Sequence, residues 1–256
     1  MMQGLQRFLL FHVLTYLGRN VHGSVIIHGE KAPEGSMLYM ASVQNINSHV
    51  CGGFLISEDF VLTAAHCKDH SPKSVVIGTH DLRNNGQTIL IEKQCKHPQY
   101  DNIVNGNDLM LLKLSNKARL SNGVDIIQIP QHDMNLNVRQ TCQVAGWGYK
   151  RTGADPSHDL MVADVSIIDP QVCAQIWSRW ITLPANIICA GGYGTNKGFC
   201  QGDSGGPLVC NGIAVGIVSF NKQGNCQYPD VPNVYTDISK FRDWIQKAIK
   251  TKDCQE

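Results

Sequence analysis

A chain of 256 residues with 43% apolar and 17% charged side chains can bury a large core, which excludes a disordered polypeptide. Its formal charge of +1, from 22 basic and 21 acidic residues, offers no excess field to a nucleic acid or another polyanion. Beyond the first two dozen residues, no run is long and apolar enough to suggest a membrane span.

Residues 1–23 read as a secretory signal. Arg7 supplies the positive start, Phe8 to Leu17 form an apolar run too short to cross a bilayer, and Val21 and Gly23 suit cleavage after Gly23. Loss of that leader removes Arg7 and Arg19 and leaves 20 basic against 21 acidic residues. Export places the ten cysteines in an oxidising compartment, where disulfides are expected. No C-x-x-C occurs and the histidines lack ligand spacing, so neither a metal nor another cofactor is expected.

Short apolar runs then follow one another. Strands are expected over 36–44, 50–56 and 60–63, the last two flanking the turn Ser57-Glu58-Asp59. More are expected over 74–77, 89–91, 109–114, 141–147, 162–168, 207–210, 213–220 and 233–236. This rhythm fits barrels or a sandwich. Ile238, Phe241, Trp244, Ile245 and Ile249 recur at helical spacing, so a single helix is expected near the C-terminus of an all-β body.

Three segments carry chemistry: Thr63-Ala-Ala-His-Cys67, Asn107-Asp-Leu-Met-Leu-Leu-Lys-Leu114 and Cys200-Gln-Gly-Asp-Ser-Gly-Gly-Pro207. A serine hydroxyl is a poor nucleophile at neutral pH and needs a base within hydrogen-bond reach. Imidazole titrates near working pH and can return the proton to a leaving amine. A buried carboxylate fixes the imidazole tautomer and stabilises the imidazolium that forms. Ser204, His66 and Asp108 fit those roles, and the glycines around Ser204 allow a turn that aims the Gly202 and Ser204 amides at a developing oxyanion. Taken singly, each residue also suits a structural role; the order and the local words favour the joint one.

With these words the sequence resembles the trypsin/chymotrypsin family of serine proteases. Ile26-Ile-His-Gly29, Cys51-Gly-Gly-Phe-Leu-Ile56, Ala145-Gly-Trp-Gly148 and Ser219 extend the resemblance over nearly everything after residue 25. Its N-terminal stretch looks closest to granzymes, mast-cell chymases and duodenase-like enzymes. The resemblance implies two six-stranded antiparallel β-barrels divided near residues 130–140, the catalytic groups in the cleft between them, and a C-terminal helix. It implies the disulfides Cys51–Cys67, Cys142–Cys210, Cys173–Cys189 and Cys200–Cys226, the last commonly lacking in granzymes. Cys95 and Cys254 are left over; they are expected to pair and tie the C-terminal helix to the first barrel, the alternatives being free thiols or a link to another chain.

The resemblance also implies an activation step. Removal of Ser24-Val25 would free an ammonium at Ile26 to pair with Asp203, a buried ion pair that suits a switch because neither member is tolerated alone. At the base of the side-chain pocket, Gly198 stands where trypsin-like members carry aspartate. Pro229-Asp-Val231 is aligned with the opposite wall, which assigns Asp230 to the pocket and predicts acceptance of basic, or mixed basic and aromatic, side chains. Phe199, beside the pocket floor, and Asn221, at its entrance, are expected to narrow the pocket, which Ser219 and Phe220 also line. The implied partners are protein or peptide substrates and protein inhibitors, with no nucleic acid or membrane, and the chain is expected to act as a monomer, secreted or stored in granules. A self-inhibited, complement-like protease and a non-catalytic homologue are the alternatives.

Overall fold

A computed structural model describes residues 26–254 except Asn122, Lys150, Ala154 and Pro229. The expected signal peptide and the Ser24-Val25 dipeptide lie outside the described residues.

After a two-residue strand β1 (Glu30–Lys31), six strands build the first half: β2 (Met40–Gln44), β3 (His49–Leu55), β4 (Phe60–Thr63), β5 (Ser74–Ile77), β6 (Gln87–Lys96) and β7 (Met110–Leu114). They run in the order β2-β3-β4-β7-β6-β5 and close, because β5 pairs back onto β2 with Ala41 opposite Ile77 and Val43 opposite Val75. Closure leaves no unpaired edge. Val43, Phe54, Leu62, Val75, Ile77 and Leu111 are fully buried in this half. Strand β6 runs well beyond the expected 89–91; the segment keeps Ile89 and Cys95 inside but turns Leu90 outward, so a hydrophobicity reading alone cuts it short.

The second half comprises β8 (Thr141–Gly146), β9 (Met161–Ser166), β10 (Ile187–Ala190), β11 (Pro207–Cys210), β12 (Ile213–Phe220) and β13 (Asn233–Asp237). Its sheet has the order β1-β9-β8-β11-β12-β13-β10. The six strands from β9 to β10 curl until their ends meet, through the bridge Ile167–Ala190 and the Ile168 N–H on Cys189 O at 2.9 Å. The second barrel therefore closes on a bridge rather than a full ladder, and β1 adds a seventh strand along β9. Strand β10 is absent from the sequence expectation, since its four residues carry no alternation.

Two α-helices are present among the described residues, not one. Helix α1 (Pro170–Trp177) starts where the Asp169 carboxylate accepts the Gln171 and Val172 amides at 2.8 and 3.2 Å, with proline in the first turn. Its eight residues are too few for a clear period, although the cap is legible. Helix α2 (Arg242–Thr251) lies near the expected C-terminal position. It buries Ile245 and Ala248 against the first-barrel core, while Phe241 and Trp244 flank His97 at ring distances of 5.0 and 5.2 Å.

The barrels meet along a seam of close backbone contacts. Gly52 N–H donates to Ser204 O at 2.8 Å, and Thr63 Oγ1 donates to Gly52 O at 2.7 Å. Gly205 sits at φ +81° here, and an added Cβ would lie 2.1 Å from Thr63 Oγ1, so only glycine fits. The seam thus fixes the turn that carries Ser204 against the first barrel.

Five disulfides join Cys51–Cys67, Cys142–Cys210, Cys173–Cys189, Cys200–Cys226 and Cys95–Cys254. The last spans 159 residues and fastens the segment after α2 to β6. Replacing Cys95 and Cys254 together by serine is expected to cost about 2–5 kcal/mol of stability, while kcat/KM on small substrates stays near wild type. Thermal melts of the two proteins, with rates measured below both midpoints, check this.

Candidate active site

Strand β4 delivers His66 through the 3-10 turn Ala65–His70, and the Cys51–Cys67 disulfide pins that turn back to β3. Asp108 lies two residues before β7 and is fully buried. Ser204 lies in the turn before β11. Groups 42 and 96 residues apart in the chain thus converge on the seam.

The Asp108 carboxylate is saturated with donors. Its Oδ2 accepts from His66 Nδ1 at 2.8 Å and Ser219 Oγ at 2.6 Å, and its Oδ1 accepts from the His66 amide at 3.0 Å. Thr236 Oγ1 donates to the Asp108 carbonyl at 3.0 Å. Burial alone would push this acid up, but the His66 charge and the donated hydrogen bonds outweigh it and hold the carboxylate below its ordinary range. An ionised, acceptor-only Asp108 requires the proton on His66 Nδ1, which leaves Nε2 free to accept one.

His66 and Ser204 line one cavity of about 570 Å³, together with Gly202, Ser219, Phe220 and Asn221. Among the described residues no direct hydrogen bond joins Ser204 Oγ to His66 Nε2; such contacts are often long in unliganded sites and tighten on substrate. Gly202 has φ +89°, a conformation suited to glycine, and an added Cβ would meet Gly148 Cα at 2.9 Å. Its carbonyl accepts from His49 Nε2 at 2.9 Å, and His49 Nδ1 meets Ser42 Oγ at 2.8 Å. Burial pushes the His49 imidazole down to about 4. The sequence reading misses His49, Ser42 and Thr236, because no local word marks them.

Asp203 points away from the cavity into the second barrel. Its carboxylate accepts the Gly148 amide on Oδ1 and the Cys200 amide on Oδ2, both at 2.8 Å. Gly146 and Gly148 make room, since a Cβ on either would fall within 2.5 Å of that carboxyl group. Ile26 is buried in the same barrel's core, and the Ile27 amide donates to Gly198 O at 3.0 Å. Among the described residues no positive charge pairs with Asp203, and burial pushes its acid up to about 7. His28, two residues after Ile26, is exposed at φ 55°.

Asp230 does not stand where the sequence expectation puts it. It is exposed, pairs by backbone with Tyr193 and does not line the cavity. The residue against Gly198 is Asn233, fully buried: a Cβ on Gly198 would lie 2.3 Å from Asn233 Oδ1. The segment holds two prolines three residues apart, Pro229 and Pro232, and alignment on the first shifts the assignment by three positions. Counting back from β13 finds Asn233. Phe199, Phe220 and Asn221 line the cavity.

A two-barrel body with a carboxylate–imidazole pair and a serine at the seam defines the class of two-barrel serine hydrolases. The trypsin family matches this chain over residues 26–245. Mast cell protease 3 of Ovis aries is 38% identical over 231 residues, covering 88% of this chain and 89% of that protein. Kallikrein-7 of Homo sapiens is 39% identical over 250 residues, covering 96% of each. The solved structure of mouse neuropsin, described as a serine protease, superposes with a TM-score of 0.79 at 33% identity, covering 87% of this chain and 99% of that one. The chain belongs to the trypsin family and is a serine endopeptidase.

Asp203 gives a test by pH. Its folded-state acid, at about 7, lies above the ordinary carboxylate value of 3.8, so the folded chain keeps a proton that the unfolded chain releases. The stability this lends at low pH is lost as pH rises through about 7. In protein still extended beyond Ile26, the thermal midpoint is expected to fall between about pH 4 and 7, and Asp203→Asn to flatten that fall. Equal slopes in the two proteins would count against an uncompensated carboxylate.

Proposed function

We propose that this endopeptidase is exported, is activated by exposure of Ile26, and cleaves through an acyl-enzyme in which Ser204 is the nucleophile. His66 Nε2 takes the Ser204 hydroxyl proton as Oγ bonds to the scissile carbonyl carbon. The Gly202 and Ser204 amides stabilise the oxyanion, each donor contributing about 3–4 kcal/mol in comparable sites. The imidazolium, balanced by Asp108, then protonates the leaving amine as the C–N bond breaks. Water repeats the sequence: His66 removes its proton, the hydroxyl attacks the acyl carbon, and Ser204 regains the proton as the acid product leaves. No metal or cofactor enters these steps.

The observation that carries this reading is the Asp108–His66 pair at 2.8 Å on the cavity that also holds Ser204. For activation, the support is a buried Asp203 carboxylate facing the core in which Ile26 lies. An Ile26 ammonium there would lower the Asp203 acid and hold the Gly202 turn. Release of Ser24-Val25 as a dipeptide fits this better than cleavage by a trypsin-like activator, for which Val25 is no substrate. The natural setting that follows is secretion or granule storage, with protein substrates and protein inhibitors as partners of a monomeric enzyme.

Ser204→Ala is expected to abolish labelling by a fluorophosphonate, and Asp108→Asn to lower kcat by roughly 10⁴-fold with little change in KM. Unchanged turnover in either variant would contradict the assigned roles. N-terminal sequencing of active protein is expected to begin at Ile26; a start at Ser24 in fully active enzyme would contradict the activation step.

A further inference from the structure

The space beneath the cavity is closed by one side chain. Between β12 and β13 the chain returns past the site, anchored by the Cys200–Cys226 disulfide, and carries Tyr228. The Tyr228 hydroxyl donates to Phe199 O at 2.5 Å and accepts from Asn221 Nδ2 at 3.1 Å and Asn233 Nδ2 at 2.9 Å. Phe199 and Asn221 both line the cavity that holds Ser204, but belong to separate segments, one ahead of β11 and one after β12. The phenol therefore ties two separate parts of the cavity lining to the residue behind them.

The ring fills what lies between. A Cβ on Gly198 would come within 2.6 Å of Tyr228 Cε2 and 2.9 Å of Cζ, so Tyr228 rests directly on the Gly198 backbone. Gly198, Tyr228 and Asn233 are all absent from the lining of the cavity. Behind the ring, Asn233 and Tyr235 are fully buried, and Asn233 Oδ1 and the Tyr235 hydroxyl have no hydrogen-bond partner. Buried polar atoms are ordinarily paired, so these two are polar groups left unsatisfied directly behind the ring.

On the endopeptidase reading, the cavity between Phe199 and Asn221 receives the side chain on the acyl side of the cut bond, the P1 residue. We propose that Tyr228 is its specificity-determining residue: it shuts off the pocket floor, so the enzyme takes small uncharged P1 side chains such as alanine. A long side chain meets Phe199 and Asn221 with the Tyr228 ring held behind them. A basic one would also lose its hydration without gaining a carboxylate, since Asp230 is exposed outside the cavity. Removing the ring opens the space against Gly198, where Asn233 Oδ1 would accept from a donor-bearing side chain. Tyrosine should then be favoured over phenylalanine.

The test uses protein processed to Ile26, titrated with a fluorophosphonate, and peptides differing only at P1 as Ala, Phe, Tyr or Arg. Wild type is expected to cleave the Ala peptide with kcat/KM about tenfold or more above the other three. Tyr228→Ala should raise the Phe and Tyr peptides by about tenfold or more, with Tyr ahead of Phe, while Ala changes less than about threefold. Tyr228→Phe, which keeps the ring but loses its three hydrogen bonds, should move in the same direction by less; it serves if the alanine variant fails to fold. Wild-type preference for Arg, Phe or Tyr, or an unchanged order in a variant that labels normally, overturns the proposal. Failure of wild type to label would instead overturn the catalytic reading, and this proposal with it.

Discussion

A carboxylate with no exposure to water needs several donors to remain charged, and Asp108 has them from both barrels. His66, on the first barrel, supplies an imidazole N–H and a backbone amide; Ser219, on β12 of the second, supplies a hydroxyl. Thr236 on β13 anchors the Asp108 backbone in the same way. The two bonds from His66 lie within the first half, while those from Ser219 to the carboxylate and Thr236 to the backbone join the two halves at the same residue. Removing one partner would leave an uncompensated charge in the seam, a strongly destabilising change.

The second buried carboxylate is the counterpart of the first. Asp203 is equally buried, yet it has two backbone amides and, among the described residues, no cation. One acid is held ionised, while the other is driven toward its neutral form. The two acids differ in their partners: an imidazole and a hydroxyl for the first, backbone amides for the second. Gly146 and Gly148 shape the Asp203 niche so closely that no side chain could be added there.

The parts of the site carried by contiguous words were legible: His66 before Cys67, Ser204 among glycines, Asp108 at the head of an apolar strand. Strands with strong apolar character were legible for the same reason. What escaped is set by contacts across the chain. His49 matters through a bond to Gly202, 153 residues away, and nothing beside it in sequence indicates this. Strand β10 and helix α1 are too short for their periods to stand out. Asp230 has the charge that would suit a pocket but is exposed outside the cavity. The neutral Asn233 is instead buried against Gly198, a contrast set by burial that a sequence does not display.

On the proposed mechanism, Asp108 holds the His66 proton on Nδ1 and leaves Nε2 as the base. Nitrogen-15 NMR of the His66 ring in processed protein near neutral pH tests it most directly. The predicted spectrum shows Nδ1 bonded to hydrogen and Nε2 bare, a distribution lost when Asp108 is replaced by alanine. A ring protonated on Nε2 alone, or one indifferent to Asp108, would contradict it.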